Sequence, residues 1–174
     1  MHSAVTEAGI HRASAQFWEQ MLAMELEPVE SSGMRSIGVN HMMGSCDLAG
    51  AWSGCVEVRL SQGLAMRATA AMLMQSVDAV QAGDILDATK EIANMIAGIF
   101  KSALPRPCTM TIPHAEAIAE DFCVLPRTAD SVAVFFRHDS GALMIRVCEA
   151  ELCVAARGAM PGLECAVATE AALE

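Results

Sequence analysis

The most informative stretch of this sequence runs from Asp84 to Lys101 and reads DILDATKEIANMIAGIFK. Apolar residues recur in it every three or four positions, which is the spacing of an α-helix with one buried face. At about 100° per residue, the isoleucines at positions 85, 92, 96 and 99 gather on one side. We predict a helix from Asp84 to about Leu104, ended by Pro105 and Pro107, that buries the isoleucines at 92, 96 and 99.

The opposite side of this helix carries a polar stripe, formed by Asp87, Glu91, Asn94 and Gly98. These four positions lie within about 60° of one another around the helix axis, so we expect all of them to be exposed. A glycine inside a helix lowers stability by about 1 kcal/mol relative to alanine, and the close approach of another backbone would explain why Gly98 occurs here. On pattern alone, such a stripe is also typical of the solvated face of any amphipathic helix.

Two further helices are predicted before this one. Apolar residues at helical spacing extend from about His11 to Leu26, and Pro28 should end that helix. A second apolar run extends from Leu64 to Met74, with Ser61 as the residue that caps its first turn.

Alternating patterns predict the strands. Ile37 to Met43 forms one strand, the glycine-rich segment 44–50 a turn, and Trp52 to Leu60 a half-buried antiparallel partner. Three more strands are expected at 108–113, 131–137 and 142–149, with turn residues at 139–141. The order α, β, β, α, α, β, β, β indicates an α+β fold, with helices packed on a mostly antiparallel sheet of about five or six strands.

The length of 174 residues fits a single domain, with a core of about residues 10–151 and an extension, 152–174, whose structure the sequence does not predict. The formal net charge of −10 argues against binding to nucleic acid or to anionic membrane surfaces. Because there is neither a long apolar run nor a secretory signal pattern at the N-terminus, we expect a cytoplasmic protein.

The seven cysteines include no Cys-x-x-Cys pair, so we expect reduced thiols and no metal site. Cys46 and Cys55 would lie near the predicted hairpin and could approach each other, which we interpret as coincidence. His41 is interpreted as a satisfied core or edge histidine, and His114 as a surface residue in a loop.

The pattern Asp87-x-x-x-Glu91-x-x-Asn94, continued by Met95-Ile96-x-Gly98, resembles the signature helix of the CheC/CheX/FliY chemotaxis phosphatases. The likeness is closest to CheX, which has one such helix, and it covers roughly residues 10–150. The glycine-rich segment 44–54, the strand ending Met110-Thr111-Ile112-Pro113 and the last two strands resemble the flanking elements of that family.

The resemblance implies that this chain hydrolyses the aspartyl phosphate of a CheY-type response regulator. Asn94 would orient the attacking water, and Glu91 would pair with the lysine of the regulator's active site. Asp87 would assist docking, and Gly98 would belong to the same partner-binding surface. The chain would need no cofactor of its own, because the Mg²⁺ belongs to the regulator, and CheX-like proteins usually form homodimers through sheet edges.

Two other functions stay open. The chain could be a non-catalytic adaptor with this fold that binds a response regulator, a receptor complex or the flagellar switch. It could also be a redox or metal-binding module that uses its cysteines. The presence of both Glu91 and Asn94 favours the enzyme, because an adaptor does not need an amide that positions water.

Overall fold

The computed structural model describes residues 6–30, 37–120 and 131–149. Within these ranges the chain forms three α-helices, seven strands and one 3₁₀ turn, Val77–Ala79. The helices are α1 (Glu7–Leu22), α2 (Gln62–Leu73) and α3 (Ala82–Ala103). The strands are β1 (Glu27–Val29), β2 (His41–Gly50), β3 (Gly54–Ser61), β4 (Cys108–Met110), β5 (His114–Ile118), β6 (Ser131–His138) and β7 (Gly141–Glu149).

All seven strands belong to one sheet in the order β1-β6-β7-β3-β2-β4, and β5 also pairs with β2. The pairings are antiparallel, so the predicted α+β fold is confirmed. The sheet has more strands than expected, because β1 is a short edge strand and the predicted strand at 108–113 is divided. The predicted extension, 152–174, lies outside the described residues, as do Cys123, Cys153 and Cys165.

The main core lies between one face of the sheet and the three helices. Every second residue of the central strands points into it, including Val56, Val58 and Leu60 of β3. From the helices come Trp18 of α1, Leu64 of α2 and other fully buried side chains. None of the helices in the described ranges is long and apolar enough to cross a membrane.

The opposite face of the central strands is also buried, so the expectation of a half-buried β3 is wrong. Glu57 and Arg59 of β3 are almost inaccessible to solvent. Buried charges are costly unless they are paired, and both of these charges have partners. Glu57 Oε1 accepts a hydrogen bond from Arg59 Nε at 2.6 Å, and Glu57 Oε2 accepts one from Arg146 Nη2 at 2.6 Å. Arg59 Nη1 lies 2.7 Å from His41 Nε2, and His41 Nδ1 lies 2.9 Å from the carbonyl oxygen of Gly38.

This network confirms the interpretation of His41 as a satisfied core histidine. Because the Arg59 guanidinium can only donate, His41 Nε2 accepts, and the Nδ1 proton is then donated to Gly38. Burial alone would lower the pKa of Arg146, but the charge of the Glu57 carboxylate and its hydrogen bond raise it above its ordinary value.

The first helix ends earlier than predicted. Ala23 takes the left-handed conformation with φ 51°, and the helix stops at Leu22 rather than near Pro28. Pro28 instead pairs with Phe136 in the edge strand β1, where a missing N–H is tolerated. At its other end the helix begins at Glu7, because Thr6 Oγ1 accepts a hydrogen bond from Gly9 N at 3.1 Å.

The glycine-rich segment is strand rather than turn. β2 begins at His41, after positive φ angles at Gly38 and Asn40, and it continues through Gly50. The hairpin to β3 therefore turns at residues 51–53. Ser61 occupies the predicted cap position of α2, but its hydroxyl accepts a hydrogen bond from Ala142 N instead of from the helix.

The predicted strand at 108–113 is interrupted by a bulge. Met110 pairs with Leu48 and His114 with Ser45, so three residues face two on β2. Thr111 holds the bulge, since its N donates to the Asp47 carbonyl and its Oγ1 accepts from Asp47 N. His114 is exposed as expected, but it begins strand β5 rather than lying in a loop.

Candidate functional site

The candidate site lies on helix α3, and the inner side of this helix packs against the sheet. Gln81 N donates to the Asp84 side chain at 3.0 Å, which satisfies one unpaired donor at the start of the helix. Ile92 and Ile96 are fully buried as predicted, whereas Ile99 is only partly buried. Small residues complete the inner side, and Ala93 and Ala97 have no exposed surface.

These small residues bring α3 close to β2, and Gly44 makes the approach possible. A Cβ atom added at Gly44 would lie 2.8 Å from the Thr89 carbonyl oxygen and 3.1 Å from the Cβ of Ala93. Real Cβ atoms essentially never come that near to a backbone oxygen. The position of α3 on the sheet therefore depends on the absence of a side chain at Gly44.

The four predicted site residues lie on the outer side of α3. Asp87 and Glu91 are exposed as predicted, whereas Asn94 and Gly98 are half-buried rather than exposed, because they lie closer to the packed part of the helix. From Asp87 to Gly98 the stripe extends about 16 Å along the helix axis at a rise of about 1.5 Å per residue. The fold thus presents two carboxylates, one carboxamide and one glycine on a continuous surface.

The explanation offered for Gly98 is wrong within the described chain. A Cβ atom added there would meet no atom within 4 Å, so no other segment in the described ranges approaches Gly98 closely. The close approach that the sequence predicted occurs at Gly44, on the other side of the same helix. The outer surface at Gly98 is open.

Lys90 lies beside the stripe and is not among the site residues predicted from the sequence. Its Nζ is 2.9 Å from Asp87 Oδ1, in an ion pair between residues three positions apart. A lysine placed three residues after an aspartate on a predicted helix is a signal for such a pair. Seen along the axis, Lys90 lies about 40° to one side of Asn94, and Glu91 lies about 60° to the other.

Two cysteine interpretations can be compared with the structure. Cys46 pairs with Val56 and faces the helices, whereas Cys55 lies on the opposite face of the sheet, so the two thiols do not approach each other. Cys55 instead lies opposite Cys148 on β7. No group of three or more histidine, cysteine, aspartate or glutamate side chains suited to a metal ion occurs in residues 6–30, 37–120 and 131–149.

The fold is shared with solved structures of low sequence identity. The chain is 18% identical to a chemotaxis protein CheX from Vibrio vulnificus, with a TM-score of 0.65, covering 85% of this chain and 99% of that one. A CheC-like superfamily protein from Shewanella sp. PV-4 gives 16% identity and a TM-score of 0.67, covering 85% and 98%. The CheX of a CheX–CheY–BeF₃–Mg²⁺ complex from Borrelia burgdorferi gives 15% and 0.57, covering 80% and 94%.

No curated protein matches this chain in sequence. The profile of one protein family, described as chemotaxis phosphatase CheX, matches residues 42–137, which is more than half of the chain and includes all of α3. The resemblance to the CheC/CheX family is thereby confirmed. This chain belongs to the CheX family of chemotaxis phosphatases.

Proposed function

We propose that this chain hydrolyses the aspartyl phosphate of a CheY-type response regulator. The observation that carries the proposal is the polar stripe of α3, in which an amide lies between exposed carboxylates and an open glycine position. Two findings support it: the chain matches the chemotaxis phosphatase profile, and a relative with the same fold was crystallised with CheY, BeF₃ and Mg²⁺.

In the proposed reaction a water molecule attacks the phosphorus atom while the bond to the aspartate oxygen breaks. The products are inorganic phosphate and the free aspartate of the regulator. Such a reaction needs positioning more than covalent chemistry, because the Mg²⁺ on the regulator already neutralises charge on the phosphoryl group. This chain would contribute no cofactor of its own.

Asn94 is the residue proposed to orient the water. Its carboxamide can accept a hydrogen bond from the water through oxygen and donate one to a phosphoryl oxygen through nitrogen. A half-buried position is compatible with this role, since part of the residue stays accessible to a docked partner.

Glu91 and Asp87 are proposed to hold the regulator in place. Glu91 is exposed on the turn before Asn94, where its carboxylate can pair with a lysine of the partner's active site. At Gly98, one turn after Asn94, the open surface allows the partner's backbone to lie against the helix. A homodimer formed through a sheet edge, in the cytoplasm, completes the proposal. The described sheet has β1 at one edge and β4 and β5 at the other.

The direct test is the decay of ³²P-labelled response regulator with and without this protein, using each regulator of the source organism in turn. Faster release of inorganic phosphate from at least one regulator is expected. If none is dephosphorylated but one is bound, the chain is an adaptor and the proposed activity is wrong.

A further inference from the structure

Lys90 is the cationic group nearest to Asn94 along the outer side of α3. It precedes Asn94 by one helical turn, which separates the two Cα atoms by about 6 Å along the axis. Its side chain is 42% exposed, and its ammonium group contacts Asp87, whose side chain is 79% exposed. A lysine side chain is about 6 Å long when extended, so its ammonium group can reach the space in front of the Asn94 amide.

The ion pair between Lys90 and Asp87 is weak enough to be exchanged. Exposed pairs of this spacing stabilise a helix only slightly, because water screens both charges and two mobile side chains must be ordered. A phosphoryl group carries more charge and offers several oxygen acceptors to an ammonium group. Lys90 can therefore leave Asp87 when such a group is presented beside Asn94.

The negative charge of the surroundings favours a cation at this position when an anionic group is to be bound. The chain has a net charge of −10, and the stripe itself exposes the carboxylates of Asp87 and Glu91. The negative charge that Mg²⁺ leaves on the regulator's phosphoryl group is repelled by both carboxylates, whereas the regulator's lysine that docks on Glu91 is attracted by them. Lys90 offsets that repulsion on the side of Asn94 away from Glu91.

We infer that Lys90 makes this chain selective for the phosphorylated form of its regulator, by leaving Asp87 and binding a phosphoryl oxygen. This inference rests on the proposed function and adds to it by assigning the recognition of the phosphoryl group to one residue. Asp87 then has a second role, since it holds the ammonium group beside the site until a phosphorylated partner docks.

The test compares binding of two forms of one regulator: the BeF₃-activated form with Mg²⁺ and the unmodified form with Mg²⁺. Lys90→Ala should weaken binding of the activated form about tenfold, which is the loss of one charge-assisted hydrogen bond, and change binding of the unmodified form little. Lys90→Arg should restore most of the affinity. Lys101→Ala is the matched control, because it removes the same charge from the same flank of α3, about 10 Å beyond Asn94.

Two results would overturn the inference while leaving the proposed function intact. One is an equal loss of both affinities in Lys90→Ala, which would indicate general attraction rather than phosphoryl recognition. The other is an unchanged affinity for the activated form. If the folded wild-type protein binds neither form of any regulator, the proposed function itself is wrong, and this inference falls with it.

Discussion

Two glycine-to-alanine substitutions on the two sides of α3 should change stability in opposite directions. At Gly44 the added methyl group would lie 2.8 Å from the Thr89 carbonyl oxygen and 3.0 Å from Thr89 Cγ2. Because the nearest atom belongs to the backbone of a packed helix, α3 must move away from the sheet. Overpacking of this kind costs about 1–3 kcal/mol, against a gain of about 0.5–1 kcal/mol from replacing a strand glycine. Taken at their midpoints, these two terms leave a net loss of about 1 kcal/mol.

Gly98→Ala is the matched control, since it adds the same methyl group where no atom lies within 4 Å. Without a clash, only the gain in helix propensity counts, and we expect the free energy of unfolding to rise by about 0.5–1 kcal/mol. Urea denaturation followed by circular dichroism measures both changes as shifts of the unfolding midpoint. A neutral or stabilising Gly44→Ala would refute the argument that this glycine sets the distance between α3 and the sheet.

The remaining predictions concern charged groups. Glu57→Gln should lower the free energy of unfolding by about 3–5 kcal/mol, because it removes a buried carboxylate whose two oxygens pair with two arginines. Urea denaturation measures this loss, with a substitution at an exposed position, Glu116→Gln, as the control. A loss as small as that of the control would contradict the prediction. Burial lowers the pKa of His11 from its ordinary value of 6.5, and Glu7 opposes the shift only in part. The unfolded chain therefore binds more protons, so stability should fall as the pH decreases through 6.5, and His11→Gln should reduce this dependence when unfolding midpoints at pH 7.5 and 5.5 are compared. Glu91→Ala should weaken binding of the regulator, measured by titration. It should also slow phosphate release when the regulator is present at low concentration. An unchanged affinity would exclude the proposed docking role of Glu91.

The helix with the candidate site was predictable because its information is local. An apolar period of about 3.6 residues, a polar stripe and two prolines at the end determine where α3 lies and which side it buries. Ile99 departs from this pattern, because it is only partly buried. Alanines 93 and 97 are fully buried, so the buried side of α3 extends toward them rather than toward Ile99.

Features that depend on the order of strands were not predictable from local patterns. Apolar and polar residues alternate along β3 as in a strand with one solvent-exposed face. However, β3 pairs with β2 and β7 and is buried on both faces. Its polar residues could be placed inside only because Arg146, 89 positions after Glu57, supplies a partner from the neighbouring strand. The end of α1 was missed for another reason, since Ala23 adopts a left-handed conformation that usually marks glycine or asparagine.

The glycines illustrate the same limit. Both Gly44 and Gly98 stand out in the sequence, and each could indicate a close approach of two backbones. Only the packing of α3 on β2 decides that Gly44 has this role, while Gly98 faces open space. The sequence identifies glycines whose presence needs an explanation, and only the tertiary contacts show what that explanation is.

The central claim is that Asn94 orients water for hydrolysis, and the rate of ³²P release from a saturating amount of phosphorylated regulator tests it most directly. Asn94→Ala should reduce that rate on the order of 10²-fold while the protein still binds the BeF₃-activated regulator and unfolds at nearly the wild-type midpoint. A variant that retains the full rate on every regulator dephosphorylated by the wild type would contradict the account.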